Sequence, residues 1–205
     1  MIENSGDERY GAIAIFFHWA SASLIFAAVL CAWAMRVAPS WALDSSLLII
    51  HRSFGMSALV LSTLRLVWRA THPAPPFPNS VHRWQRWLAA GTHWLLYGLI
   101  LAMPIAGYLS TTATGHAVSF FYLFDLPRLI APDPALARLA GRTHRSLQWA
   151  IYLLVSLHGA AALGHHFVLK DNVLRRMLPA LPRRLAGNAL LRDRTSNPKS
   201  FGARS

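Results

Sequence analysis

Residues 143–170 read THRSLQWAIYLLVSLHGAAALGHHFVLK. Between Arg145 and Lys170 this stretch carries no formal charge, and it is long enough to cross a bilayer as a helix. His144 and His158 lie fourteen positions apart. At about 100° and 1.5 Å per residue, the two rings leave one face within about 40° of each other, about 21 Å apart along the axis. Ionisable groups inside a membrane are expensive, and their presence points to function. Two imidazoles on one face, one toward each leaflet, are what two stacked cofactor sites would require. The rest of the chain must then supply partners for them.

The composition agrees with a membrane protein. Of 205 residues, 54% are hydrophobic and only 14% charged, against a usual charged share of about a quarter. The net charge of +12 does not form a nucleic-acid patch. The basic residues gather in two segments between and after apolar runs, as membrane topology requires. The single cysteine, Cys31, lies inside an apolar run and is expected to pack there. The N-terminal MIENSGDERYG has three acids and one arginine, the wrong sign for a signal peptide. The apolar run after it is therefore expected to be a retained span.

Four spans are expected, at about 12–35, 47–68, 87–109 and 144–168, in an all-α integral membrane four-helix bundle. The first holds His18 as its one ionisable group. The second has His51 near its start, with Gly55 one turn later on the same face, where a flat macrocycle could approach. The third has His93 near its start and Pro104 within it, which predicts a kink. Between the second and third spans lies RATHPAPPFPNSVHRWQRW, whose prolines forbid a continuing helix. The long connection 110–142 contains AVSFFYLFDLPRLIAP, apolar but too short to cross, and is expected to form an interfacial lid. From Lys170 on, nine Lys/Arg face two acids. Residues 1–180 are thus expected to form the membrane domain and 181–205 a loose basic tail. Four spans place both termini on one side, and both basic segments fall there. The positive-inside rule makes that side cytoplasmic.

Topology gives depth. His18 falls about 9 Å from the cytoplasmic edge and His51 close to the outer edge. On the fourth span His144 lies at the outer edge and His158 deeper on the cytoplasmic side. Equal depth pairs His51 with His144 and His18 with His158, and each pair could clamp one iron from the two sides of a haem. His165 lies about 20° off the face of His158 and remains an alternative ligand on geometry alone, whereas His166 points about 80° away. No Asp, Glu or Cys accompanies the histidines, which disfavours a tetrahedral zinc site. His93 is expected to be a helix–helix hydrogen-bonding group or to lie near a haem edge. His72, His82 and His116 fall in loops and are expected to be solvated. Arg52, Arg65 and Arg145 are candidate partners for haem propionates as well as interface anchors.

These residues resemble the bacterial cytochrome b561 family. The resemblance covers about residues 10–179. It rests on FFHW in the first span, HRSFG and LRLVWRATHPAPP bracketing the second, and LHGAAALGHHFVLKDNVLRRMLP at the end. It implies a four-span cytochrome of the bacterial inner membrane with two b haems ligated by His18, His51, His144 and His158. It favours His158 over His165 as the inner ligand and makes His165 a candidate for a quinone site. It also implies electron transfer to ubiquinone, with superoxide oxidation at the outer face as one activity of the family. The expected partners are lipid, quinone and a redox partner protein. Two other readings are a membrane-anchor cytochrome b subunit of a dehydrogenase and a cofactor-free transporter or proton relay.

Overall fold

A computed structural model describes residues 9–78 and 81–179. The expected basic tail, 181–205, lies outside the described residues. Four long helices dominate: α1 (Ala12–Met35), α2 (Trp41–Thr71), α3 (Arg83–Thr112) and α4 (Pro134–Phe167). All four are long and apolar enough to cross a membrane. Of the most apolar stretch of each, only 6–17% of residues are buried inside the protein. Phe16, Phe26, Trp149 and Leu153 point outward. Apolar faces this continuous belong against lipid.

Local signals set the helix ends. Ser40 Oγ accepts from Leu43 N at 3.3 Å, and Asp44 sits in the first turn, favourable for the helix dipole. Asp133 Oδ1 accepts from Ala135 N and Leu136 N at 2.8 and 3.1 Å, with Pro134 opening α4. Consequently α2 begins at Trp41, ahead of the expected 47, and α4 begins at Pro134, ahead of the expected 144. Hydropathy marks the bilayer core, whereas caps mark where the backbone starts to wind. Hydroxyls inside the helices bond back to their own turns, as Ser57 does to Ser53 O and Thr63 to Leu59 O. That satisfies them without water.

The helices pack as two antiparallel pairs, α1 with α2 and α3 with α4, joined along α2 and α3. By contrast, α1 and α4 meet through side chains: Trp33 Nε1 donates to Tyr152 Oη at 2.9 Å, and the rings of His18 and His158 face each other. The connection before α4 holds an antiparallel hairpin, β1 (Val118–Phe120) with β2 (Phe124–Leu126), Val118 opposite Leu126. Its turn puts Phe121 and Tyr122 at φ 48° and 61°, a left-handed region that aromatic residues rarely occupy. The turn is tied to α2. Phe121 N donates to Ser53 Oγ at 2.7 Å, and the rings of Phe121 and Phe54 meet edge to face at 5.4 Å. The expected lid is thus a hairpin docked two residues from His51.

Candidate functional site

The pair expected nearer the outer face, termed the outer pair, is built from the backbone upward, and its counterpart His18 and His158 is termed the inner pair. His51 on α2 donates from Nδ1 to Ala28 O on α1 at 2.8 Å. His144 on α4 donates from Nδ1 to Met103 O on α3 at 2.9 Å, one residue before Pro104. A carbonyl can only accept, so each Nδ1 carries the hydrogen and each Nε2 keeps a free lone pair. The same arrangement orients metal-bound histidines elsewhere. The two rings lie 6.1 Å apart, centre to centre, at 84°.

That spacing can be tested against a metal. Imidazole nitrogens bind metals at about 2.0–2.1 Å. A ring with bonds of about 1.35 Å has its atoms about 1.1 Å from its centre. Two imidazoles facing one ion from opposite sides therefore have centres about 6.2–6.4 Å apart. His51 and His144, at 6.1 Å, come within about 0.3 Å of this spacing. Both line a cavity of about 440 Å³, together with Gly55 and Gly107. At Gly107 a Cβ would come within 3.1 Å of the His144 ring, so the glycine leaves room for that imidazole. The charged residues lining the cavity are Arg36, Arg52 and Arg145, with no carboxylate. A cationic mouth of this kind suits an anionic group.

The inner pair has the same spacing and a different surround. His18 on α1 and His158 on α4 lie 6.2 Å apart at 37°. His93 on α3 packs against His158 at 5.3 Å and 70°, and Trp19 packs against His18 at 5.1 Å. His18 Nδ1 is buried with no hydrogen-bond partner. Arg65 and Arg69 flank the Tyr97 ring at 5.3 and 5.9 Å, and Arg65 is within electrostatic reach of His18, His93 and His158. No group of three or more His, Cys, Asp or Glu among the described residues could hold a bare metal ion. Pairs of histidines with a wide gap suit an iron already held in a macrocycle.

The structure thus brings together the same pairs that depth suggests, and it sets His93 beside the inner one. It places Arg52 and Arg145 at the outer cavity and Arg65 at the inner pair. His165 stands apart from the pairs' ring contacts and binds Asp171 (Nδ1 to Oδ2, 2.5 Å). His72 stacks on Trp68 at 3.6 Å, and His116 meets Thr114. Sequence reasoning missed the carbonyl partners of His51 and His144, which leave no side-chain signal. It also missed Asp171, although KDN follows the last span directly.

After α4 the chain crosses the inner end of α1. Trp19 Nε1 donates to Met177 O at 2.7 Å, and Tyr10 N to Arg176 O at 3.2 Å. The Arg176 side chain lies over the Tyr10 ring at 5.8 Å and is almost wholly buried. This strap closes the inner end beside His18.

Known proteins are similar to this chain in sequence. The family model for prokaryotic cytochrome b561 matches residues 9–180. Cytochrome b561 homolog 2 of Escherichia coli K12 is 38% identical over 175 residues, covering 83% of this chain and 92% of the relative. A Yersinia pestis protein named probable superoxide oxidase CybB is 32% identical over 175 residues, covering 84% and 97%. Cytochrome b561 homolog 1 of Escherichia coli K12 is 29% identical, covering 83% and 97%. The chain belongs to the prokaryotic cytochrome b561 family and is a multi-pass bacterial membrane cytochrome that transfers electrons through b-type haem.

Proposed function

We propose that the protein carries electrons across the bacterial inner membrane through two b haems, from a donor at the outer face to ubiquinone at the inner end. His51 and His144 hold the outer haem. His18 and His158 hold the inner one. The observation that carries this reading is the repeated ring spacing of 6.1 and 6.2 Å at two depths of one bundle. Both termini lie on the cytoplasmic side, in line with the basic segments.

Each haem, held between its two histidines, would supply a one-electron carrier suited to electron transfer rather than oxygen binding. The chain does the rest. Ala28 and Met103 carbonyls fix the tautomer and aim of His51 and His144. Arg52 and Arg145, which line the outer cavity, would neutralise haem propionates there, and Arg65 would do so at the inner pair. The hairpin anchored on Ser53 covers the outer site from the side of α2. His165 stands at the quinone site.

Superoxide is the donor this reading favours. The Yersinia relative's name supports it, and the arginine lining would attract a small anion. The first test is a reduced-minus-oxidised visible spectrum of the purified protein with haem counted per chain. Two low-spin b haems per chain are expected. One haem or none, after expression with ample haem, overturns the two-site assignment.

A further inference from the structure

Two buried serines lack the bond that several other hydroxyls in these helices make. Ser53, Ser57, Thr63 and Thr111 each donate to the carbonyl four residues back. Ser21 Oγ and Ser62 Oγ are instead buried without a hydrogen-bond partner, and each residue is only 2% exposed. A buried hydroxyl in this state forfeits the bonds it makes to water, so it points to a polar occupant. Helical spacing shows where that occupant sits. Ser21 precedes Ile25, Ala28 and Ala32 by four, seven and eleven residues, and Ser62 follows Ala58, Gly55 and His51 by the same steps. These steps keep to one helix face. All six of those residues line the outer cavity, so both serines face the bundle interior, inward of it. Ser21 lies about 4.5 Å outward of His18 along the axis, and Ser62 about 16.5 Å inward of His51. The two pairs are about 21 Å apart, which puts Ser62 about 4.5 Å outward of the inner pair as well. His18 Nδ1, one turn from Ser21, is likewise buried without a partner.

We propose that His18 Nδ1, Ser21 Oγ and Ser62 Oγ bind one buried water molecule in the layer between the two haem sites, with the serines as positioning residues. This rests on the reading that His18 ligates the inner haem. With Nε2 on the iron, Nδ1 carries the hydrogen and donates it to the water oxygen. The water in turn donates to the two hydroxyl oxygens. Three polar partners are what a buried water takes. Water thus does for His18 what the Ala28 and Met103 carbonyls do for His51 and His144. An acceptor on Nδ1 makes the ligand more basic, and a water dipole nearby solvates the extra positive charge of oxidised iron. Both effects favour the oxidised inner haem and lower its potential.

The test uses the full haem-loaded chain, the inner haem being the one that His144→Ala retains. Ser21→Ala with Ser62→Ala should keep both haems and raise the inner midpoint potential by about 59 mV, a tenfold shift in the ratio of oxidised to reduced haem. The outer potential should not move. Ser21→Thr, which keeps the hydroxyl, should hold the wild-type value. The reduced-minus-oxidised infrared spectrum of the wild type should carry a water O–H band that shifts in heavy-oxygen water and is lost in the double variant. An unmoved inner potential in the double variant overturns the proposal. So does a potential shift with no heavy-oxygen-sensitive band, which would assign the effect to the hydroxyls alone. Should the double variant shed the inner haem, Ser62→Ala decides in its place: a smaller rise supports the water and no rise overturns it. A wild-type chain with fewer than two haems fails the two-haem reading itself and takes the proposal with it.

Discussion

The outer and inner histidine pairs share a spacing and differ in how it is enforced. At the outer pair each ring is tied to a backbone carbonyl of a neighbouring helix, and the planes stand at 84°. At the inner pair His18 Nδ1 has no partner, the planes lie at 37°, and Trp19 and His93 crowd the rings. The outer site is pre-organised by hydrogen bonds, the inner one by packing. Hydrogen bonds to fixed carbonyls define direction, whereas packing defines volume and tolerates rotation. On the proposed two-haem reading, one fold would hold two copies of a cofactor in unlike settings.

Deleting a ligand tests this contrast most severely. His144→Ala should cost the outer haem and keep the inner one, and His158→Ala should do the reverse, each taking haem per chain from two to one. Low-spin electron paramagnetic resonance then separates the pairs. Near-perpendicular imidazole planes leave two iron d orbitals nearly degenerate, so the signal lost in His144→Ala should be the more anisotropic. Two signals of equal anisotropy would erase the difference in ring angle.

A gentler probe is Gly107→Val, which sets new atoms against the His144 ring at a position where a Cβ already falls at 3.1 Å. Overpacking costs about 1–3 kcal/mol, enough to weaken outer-haem retention about tenfold in a dilution assay. The control is Gly98→Ala, where a Cβ meets nothing within 4 Å and retention should not change. Ser53→Ala should act on the cover instead. It leaves Phe121 N–H without its acceptor, which costs about 1–3 kcal/mol if the group stays buried. Faster proteolysis of the 120–124 turn, with both haems kept, is the expected result. The smallest effect should come from His93→Phe. This change keeps both haems and shifts the inner midpoint potential by less than about 60 mV, one tenfold step for a one-electron couple. Loss of the inner haem would instead make His93 essential to that site.

Much of this arrangement was legible because two simple rules apply inside a membrane. Apolar length gives depth, and helical period gives face. Together, before any coordinates are known, they pair His51 with His144 and bring His18 to His158 or His165, a choice that only the family resemblance narrows to His158. The helix ends escaped because hydropathy falls away before the backbone unwinds, although Ser40 and Asp133 are plain caps. The hairpin escaped for a different reason. Its turn uses Phe121 and Tyr122 where Gly or Asn would be the signal, and it is held by a long-range bond to Ser53. Asp171 reaches His165 only because Lys170 turns left-handed, a conformation without a reliable mark in a lysine.

The way α1 meets α4 bears on biogenesis. The two helical hairpins can insert one after the other, yet α1 and α4 are joined by side chains, chiefly Trp33 to Tyr152 and His18 facing His158. A ligand gripped from both hairpins contributes its binding energy to their assembly. Iron and porphyrin supply would then set how much of the newly made chain survives membrane quality control, which makes cellular abundance of the protein a gauge of haem availability.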